Sequence, residues 1–149
     1  MQSKVRFISL LMGWLVLSAC DGPPHFMSGG ELSGVVAEVP ASWAFDEDGG
    51  LAQLETRPED PYSINFTYVQ LDGALYVYAG DTRTNWVKHI EQNPLVRVRV
   101  ADAIYPVRAL RVTNEDELAQ FAAVWAGSSA FSRDPNQFEE VWLYRLESR

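Results

Sequence analysis

The sequence predicts a mainly β domain of the α+β class, about six antiparallel strands closed into a small barrel with two short helices. Three observations carry this. Runs rich in Val, Ile, Tyr and Phe recur along most of the chain and are bounded by turn residues. Asp72-Gly73 stands between two such runs, the signature of a tight hairpin. Only two short stretches carry helical spacing, and they come late, unlike the regular strand–helix alternation of a doubly wound sheet.

Taken in order, Gly34 to Val39 is short and β-branched, and Leu51 to Arg57 alternates. Asp46-Glu47-Asp48-Gly49-Gly50 between them reads as a solvated turn; a calcium loop would need further ligands and a distal glutamate. Ser63 to Gln70 and Ala74 to Ala79 flank the Asp-Gly turn. Asn85 to Gln92 is predicted helical, with Trp86 and Ile90 on one face and Asn93-Pro94 as its stop. In Leu95 to Ala101, Val96, Val98 and Val100 face one way and Arg97 and Arg99 the other. Ile104 to Thr113 follows, its Pro106 pointing to an edge or a bulge. Asn114-Glu115-Asp116-Glu117 starts a second helix whose stripe Leu118, Phe121, Ala122 and Trp125 reads as core. Val141 to Leu146 is the last strand.

The N-terminus has the parts of an export signal. Lys4 and Arg6 supply positive charge, Phe7 to Leu17 an apolar run, and Leu17-Ser18-Ala19-Cys20 a cleavage box. The apolar run is about half the ~20 residues that a membrane-spanning helix needs. Small residues leading into the only cysteine resemble the lipobox of bacterial lipoproteins. That resemblance implies a signal peptide over 1–19, acylation of Cys20, and a cell-envelope location on the periplasmic side of a membrane. Two or more acyl chains hold a protein stably where one is marginal. Asp21 resembles the inner-membrane retention signal of enterobacterial lipoproteins. Residues 20–32, rich in Gly, Pro and Ser, read as a tether, and 33–149 as one domain of ordinary size.

Composition excludes several functions. The formal charge is −8, and about −10 without Lys4 and Arg6, so nucleic acid is not an expected partner. No thiol remains beyond Cys20 for disulfides or thiolate metal sites. His25 and His89 are too few for a zinc site, and His89 reads as a surface residue rather than a catalytic base. Nucleophile elbow, HExxH, P-loop and dinucleotide fingerprints are missing from the sequence. Seven of the ten basic residues left after cleavage lie between Arg57 and Arg111. Such a region can hold an anion such as phosphate, or its arginines can simply balance nearby acids.

From Leu54 to Val112 the pieces resemble, in order, the split-barrel flavin- and deazaflavin-binding superfamily that includes pyridoxamine-phosphate-oxidase-like and deazaflavin-dependent nitroreductase-like proteins. Thr56 to Tyr62 looks like the turn between the first two barrel strands, and Ile64 to Val69 with Asp72-Gly73 and Leu75 to Val77 like the next hairpin. Arg83 to Val98 looks like the basic-start helix, its Asn-Pro stop and the following strand, and Ile104 to Ala109 like the next. The resemblance implies a split barrel and an FMN or deazaflavin cofactor. Its phosphate would be held near the helix start by Arg83, Thr84 and Lys88, with Arg57 as a further candidate. Trp86 would pack beside the ring system or fill core. A homodimer is implied, with the cofactor between subunits, and hydride transfer as the chemistry. The glycine- and serine-rich phosphate loops of the family are not evident here. A non-catalytic split-barrel module binding a small ligand or an envelope protein is the other expectation.

Overall fold

The computed structural model describes Pro23 and residues 27–46, 49–128 and 133–149. The signal segment, Cys20, Asp21, His25 and the Glu47-Asp48 part of the acidic turn lie outside the described residues.

The strands are β1 (Val35–Val36), β2 (Gly49–Thr56), β3 (Tyr62–Leu71), β4 (Ala74–Tyr78), β5 (Leu95–Val100), β6 (Ala103–Arg111) and β7 (Leu143–Ser148). Six of them, β2 to β7, close an antiparallel barrel in the order β6-β5-β2-β3-β4-β7, with β6–β7 pairing completing the ring. The helices are α1 (Asn85–Gln92) and α2 (Glu115–Ser128).

Local chemistry explains the corners. Leu71 pairs with Ala74 across a two-residue turn, and both Asp72 (φ 50) and Gly73 (φ 75) take the left-handed conformation that such turns require. Val100 pairs with Ala103, so the β5–β6 turn is Ala101-Asp102, one residue earlier than the sequence suggests. The expected 34–39 strand shrinks to two residues, paired in parallel with Ala103–Ile104. Pro106 sits where β6 changes its outer neighbour, from β1 at Ile104 to β7 at Val107. A missing N–H is tolerated at such a break.

The alternation of β5 holds: Val96, Val98 and Val100 are buried in the barrel with Leu54, Leu75, Val77, Val107 and Leu146. Helix α1 sends Trp86, Val87 and Ile90 into the same core, each worth about 1.5–3 kcal/mol of burial. Helix α2 builds a second core on the outside of the barrel, where Phe121 meets Val69, Tyr76, Val112 and Leu143. Its first turn is capped by Asn114, whose Oδ1 accepts from the Glu117 N–H at 2.9 Å.

The segment expected as tether meets the barrel well before residue 33. The Asn65 amide donates to the Pro23 carbonyl at 3.1 Å, and Gly29 exchanges backbone hydrogen bonds with Ser63. Leu32 is buried, and its N–H donates to the Glu55 carboxylate at 2.6 Å. The Arg97 guanidinium grips the same carboxylate through two 2.7 Å hydrogen bonds. This chain crosses the outside of the barrel from β3 to β6 as a strap. No helix among the described residues is long and apolar enough to cross a membrane.

Candidate functional site

Helix α1 begins without a conventional cap. Thr84 occupies the cap position in an extended conformation, makes no side-chain capping bond, and no acidic residue stands in the first turn. Its Oγ1 is buried with no partner. The N–H groups of a first turn have no intrahelical acceptor, and the helix field there is positive, so this end presents unsatisfied donors to an anion.

Arg83 stands beside it, its side chain half exposed. Its guanidinium donates to Glu91 at the far end of the same helix, 2.7 Å and 2.8 Å away, which raises its pKa. The same group lies 6.0 Å over the ring of Trp142. Lys88, one turn along, is exposed.

Arg57 belongs to a different group. It takes a left-handed backbone (φ 55) as the chain leaves β2, pairs with Asp60 at 3.1 Å and lies 5.8 Å over the Tyr62 ring. Next to it, His89 Nδ1 is 2.9 Å from the buried Thr56 hydroxyl, and its ring meets Tyr62 edge-on at 5.0 Å. Burial lowers the His89 pKa first, with the Arg57 and Lys88 charges adding to the effect against an opposing Asp60. His89 is therefore a partly buried, hydrogen-bonded residue of this corner.

Thus Arg83 and Thr84 come together at the start of α1, and Lys88 follows on its solvent side. Arg57 joins the other half of the helix through His89. Trp86 is buried in the barrel core, 5.9 Å from the Tyr144 ring, and fills core.

Sequence reasoning missed Arg111, whose guanidinium stacks 3.7 Å over Trp142 and donates to the Val141 carbonyl. Tertiary folding brings these residues together, and no local spacing signals it. Arg111 also borders a surface cleft of about 350 Å³ between Val112, Leu118, Phe138 and Val141. Two further clefts measure about 540 Å³, beside Trp43, Gly73 and Arg145, and about 270 Å³, beside Glu55, Arg97 and Arg149. Beside the larger one, Arg145 ties to Glu117 at 2.6 Å, and Glu117 also accepts from the Tyr76 hydroxyl at 2.8 Å. Burial, reinforced by Glu117, pushes the Tyr76 pKa up to about 12. None of the five candidate residues lines any of these three clefts. No group of histidine and acidic side chains among the described residues is placed to hold a metal ion.

No family model and no curated protein sequence matches the chain. Solved structures do match. An F420-H2-dependent reductase aligns over its whole length, 100% of that chain and 77% of this one, with a TM-score of 0.55 and 13% identity. A protein that forms a domain-swapped dimer aligns over 79% of its chain and 65% of this one, with a TM-score of 0.54 and 13% identity. The barrel is thus of the split-barrel kind, with the fold of an F420-H2-dependent reductase.

Proposed function

We propose that this chain is an envelope lipoprotein, anchored through Cys20, whose split barrel binds FMN or a deazaflavin with the phosphate at the start of α1. The observation that carries the reading is the open helix start, where the Thr84 hydroxyl is buried and unpartnered and Arg83 stands alongside. These groups fit a phosphate: the first-turn N–H groups and Thr84 supply neutral hydrogen bonds, and Arg83 and Lys88 supply charge. The fold shared with an F420-H2-dependent reductase supports the cofactor class.

The ring system is a different matter. None of these residues lines a described cleft, although the one beside Arg111 adjoins the Trp142 ring that Arg83 also faces, and Trp86 is committed to the core. In this reading a second copy supplies the wall against which a flat ring packs, and the binding form is a homodimer. The domain-swapped dimer among the similar structures supports self-association of this fold. A bound flavin or deazaflavin would supply hydride transfer to a small acceptor. The protein's part is to fix the phosphate and orient the ring.

One observation favours a second reading, a non-catalytic module that binds a small ligand or an envelope protein. Arg83 and Arg57 already have carboxylate partners in Glu91 and Asp60. Visible spectroscopy separates the two. The purified protein mixed with FMN, or with F420, takes up the chromophore and holds it through gel filtration on the first reading. No retained absorbance with either cofactor leaves the module reading.

The anchor has its own check. Growth with labelled palmitate marks the wild-type protein and leaves Cys20→Ser unlabelled; an unlabelled wild type would refute lipidation.

A further inference from the structure

The strap that crosses the barrel also limits how far the domain can stand from the point of acylation. Only Asp21 and Gly22 lie between Cys20 and Pro23. Three fully extended residues span at most about 11 Å. Pro23 itself is buried, its carbonyl held by Asn65 on β3. From there the strap is fastened again at Gly29, at Leu32 and, through the Ser33 carbonyl, to Arg99 at 2.8 Å. Little slack is left to lift the barrel away.

Ala52, Leu54 and Phe66 point into the barrel, so Leu51, Gln53, Asn65 and Thr67 point out. Gln53 pairs with Asn65 in register and donates to it at 3.1 Å; Leu51 pairs with Thr67 one step along the same face, roughly 7 Å further on. These four residues are uncharged; the next residue of β2 on this side, Glu55, lies beneath the strap and is paired with Arg97. Leu51 is 58% exposed, and Met27, on the strap itself, 70%. Large apolar side chains this open, beside the anchoring point, suit the interfacial zone of a bilayer.

We propose that the side of the barrel that carries the strap, with Met27 on the strap and Leu51 and Thr67 on the part of β2–β3 beyond it, lies on the lipid bilayer and sets the orientation of the barrel on it. The inference rests on acylation of Cys20. Its occupant is the lipid surface, because the short covalent reach brings that surface to this face whenever Cys20 is acylated.

The test uses the full-length, lipidated protein in phosphatidylethanolamine–phosphatidylglycerol vesicles containing a doxyl-labelled lipid. With Cys20 acylated, Leu51→Cys gives one reactive thiol for an environment-sensitive fluorophore. Arg108→Cys gives the control, exposed on β6, across the ring from β3. The expected result is a blue-shifted probe at 51, quenched severalfold more strongly than at 108. Thr67→Cys, on the paired position, reports the same face should Leu51→Cys misfold.

Equal quenching at the two sites, or stronger quenching at 108, overturns the orientation. So does a disulfide joining two Leu51→Cys copies, which would give the face to a second copy of this chain. Flotation and the mass of the N-terminal peptide read the anchor separately. Protein that floats with an unquenched probe refutes the orientation alone, whereas an unmodified Cys20 and no flotation remove the anchor and the orientation together.

Discussion

Two arginine–glutamate pairs of similar geometry sit in different surroundings. Arg97 holds Glu55 at 2.7 Å, and Arg83 holds Glu91 at 2.7 Å. Glu55 is 3% exposed and accepts a third hydrogen bond from the Leu32 N–H, so the first pair is sealed beneath the strap. Arg83 is 55% exposed, on a helix start with no cap of its own. A buried pair that loses one member strands the other in a poorly solvated place. An exposed pair exchanges its partner for water or a ligand at little cost. Equal distances therefore conceal different roles: a fastener in one region and, in the proposed function, a phosphate ligand in the other.

Glu55→Ala should have the largest effect, about 3 kcal/mol of lost stability, because it leaves the buried Leu32 N–H without its acceptor and Arg97 with only the exposed Glu31 and the Leu32 carbonyl. Urea denaturation measures it, and a midpoint unchanged from wild type would mean that the strap is not fastened there. Arg83→Ala should instead leave the urea midpoint in place and weaken FMN or F420 binding roughly tenfold, the loss of one charge-assisted contact. A shifted midpoint with unchanged binding would reverse the roles of the two arginines. Lys88→Ala, which removes a flexible point charge rather than a planar fork, should weaken binding by less than Arg83→Ala in the same titration.

The smallest effect is a dependence on pH at the other half of α1. The His89 pKa is lowered in the fold, so the unfolded chain binds the proton more readily. Its contribution to stability is complete above the ordinary histidine value, near 6.5, and is lost as pH falls through the lower folded value. Between pH 7.5 and pH 5, His89→Gln should lose less stability than wild type, as read by thermal unfolding. Identical slopes would show that the Thr56–His89 contact has no such consequence.

The fold was largely legible in the chain because its signals are local. Asp72-Gly73 forms the expected turn, Asn85 to Gln92 is helical with Asn93 as its cap, and the valines of β5 face inward as their alternation requires. The last strand, Leu143–Ser148, runs two residues later than expected, although Trp142 before it already exchanges backbone hydrogen bonds with Ala79 and Gly80. The strap was not legible. Gly, Pro and Ser read as tether, while the contacts of Pro23, Gly29 and Leu32 come from residues far along the chain. The candidate site divides likewise. Arg83 and Thr84 are neighbours in sequence and stay together, whereas Arg57 pairs locally with Asp60, and the Arg111–Trp142 stack needs the closed barrel.

The central claim, a phosphate at the start of α1, is tested most directly by comparing FMN with riboflavin, which lacks the phosphate, by fluorescence titration of the wild type and of Arg83→Ala. The account predicts that wild type binds FMN at least about tenfold more tightly than riboflavin, and that Arg83→Ala removes most of this preference. Equal affinity for the two in wild type, or a preference that survives Arg83→Ala intact, would contradict it.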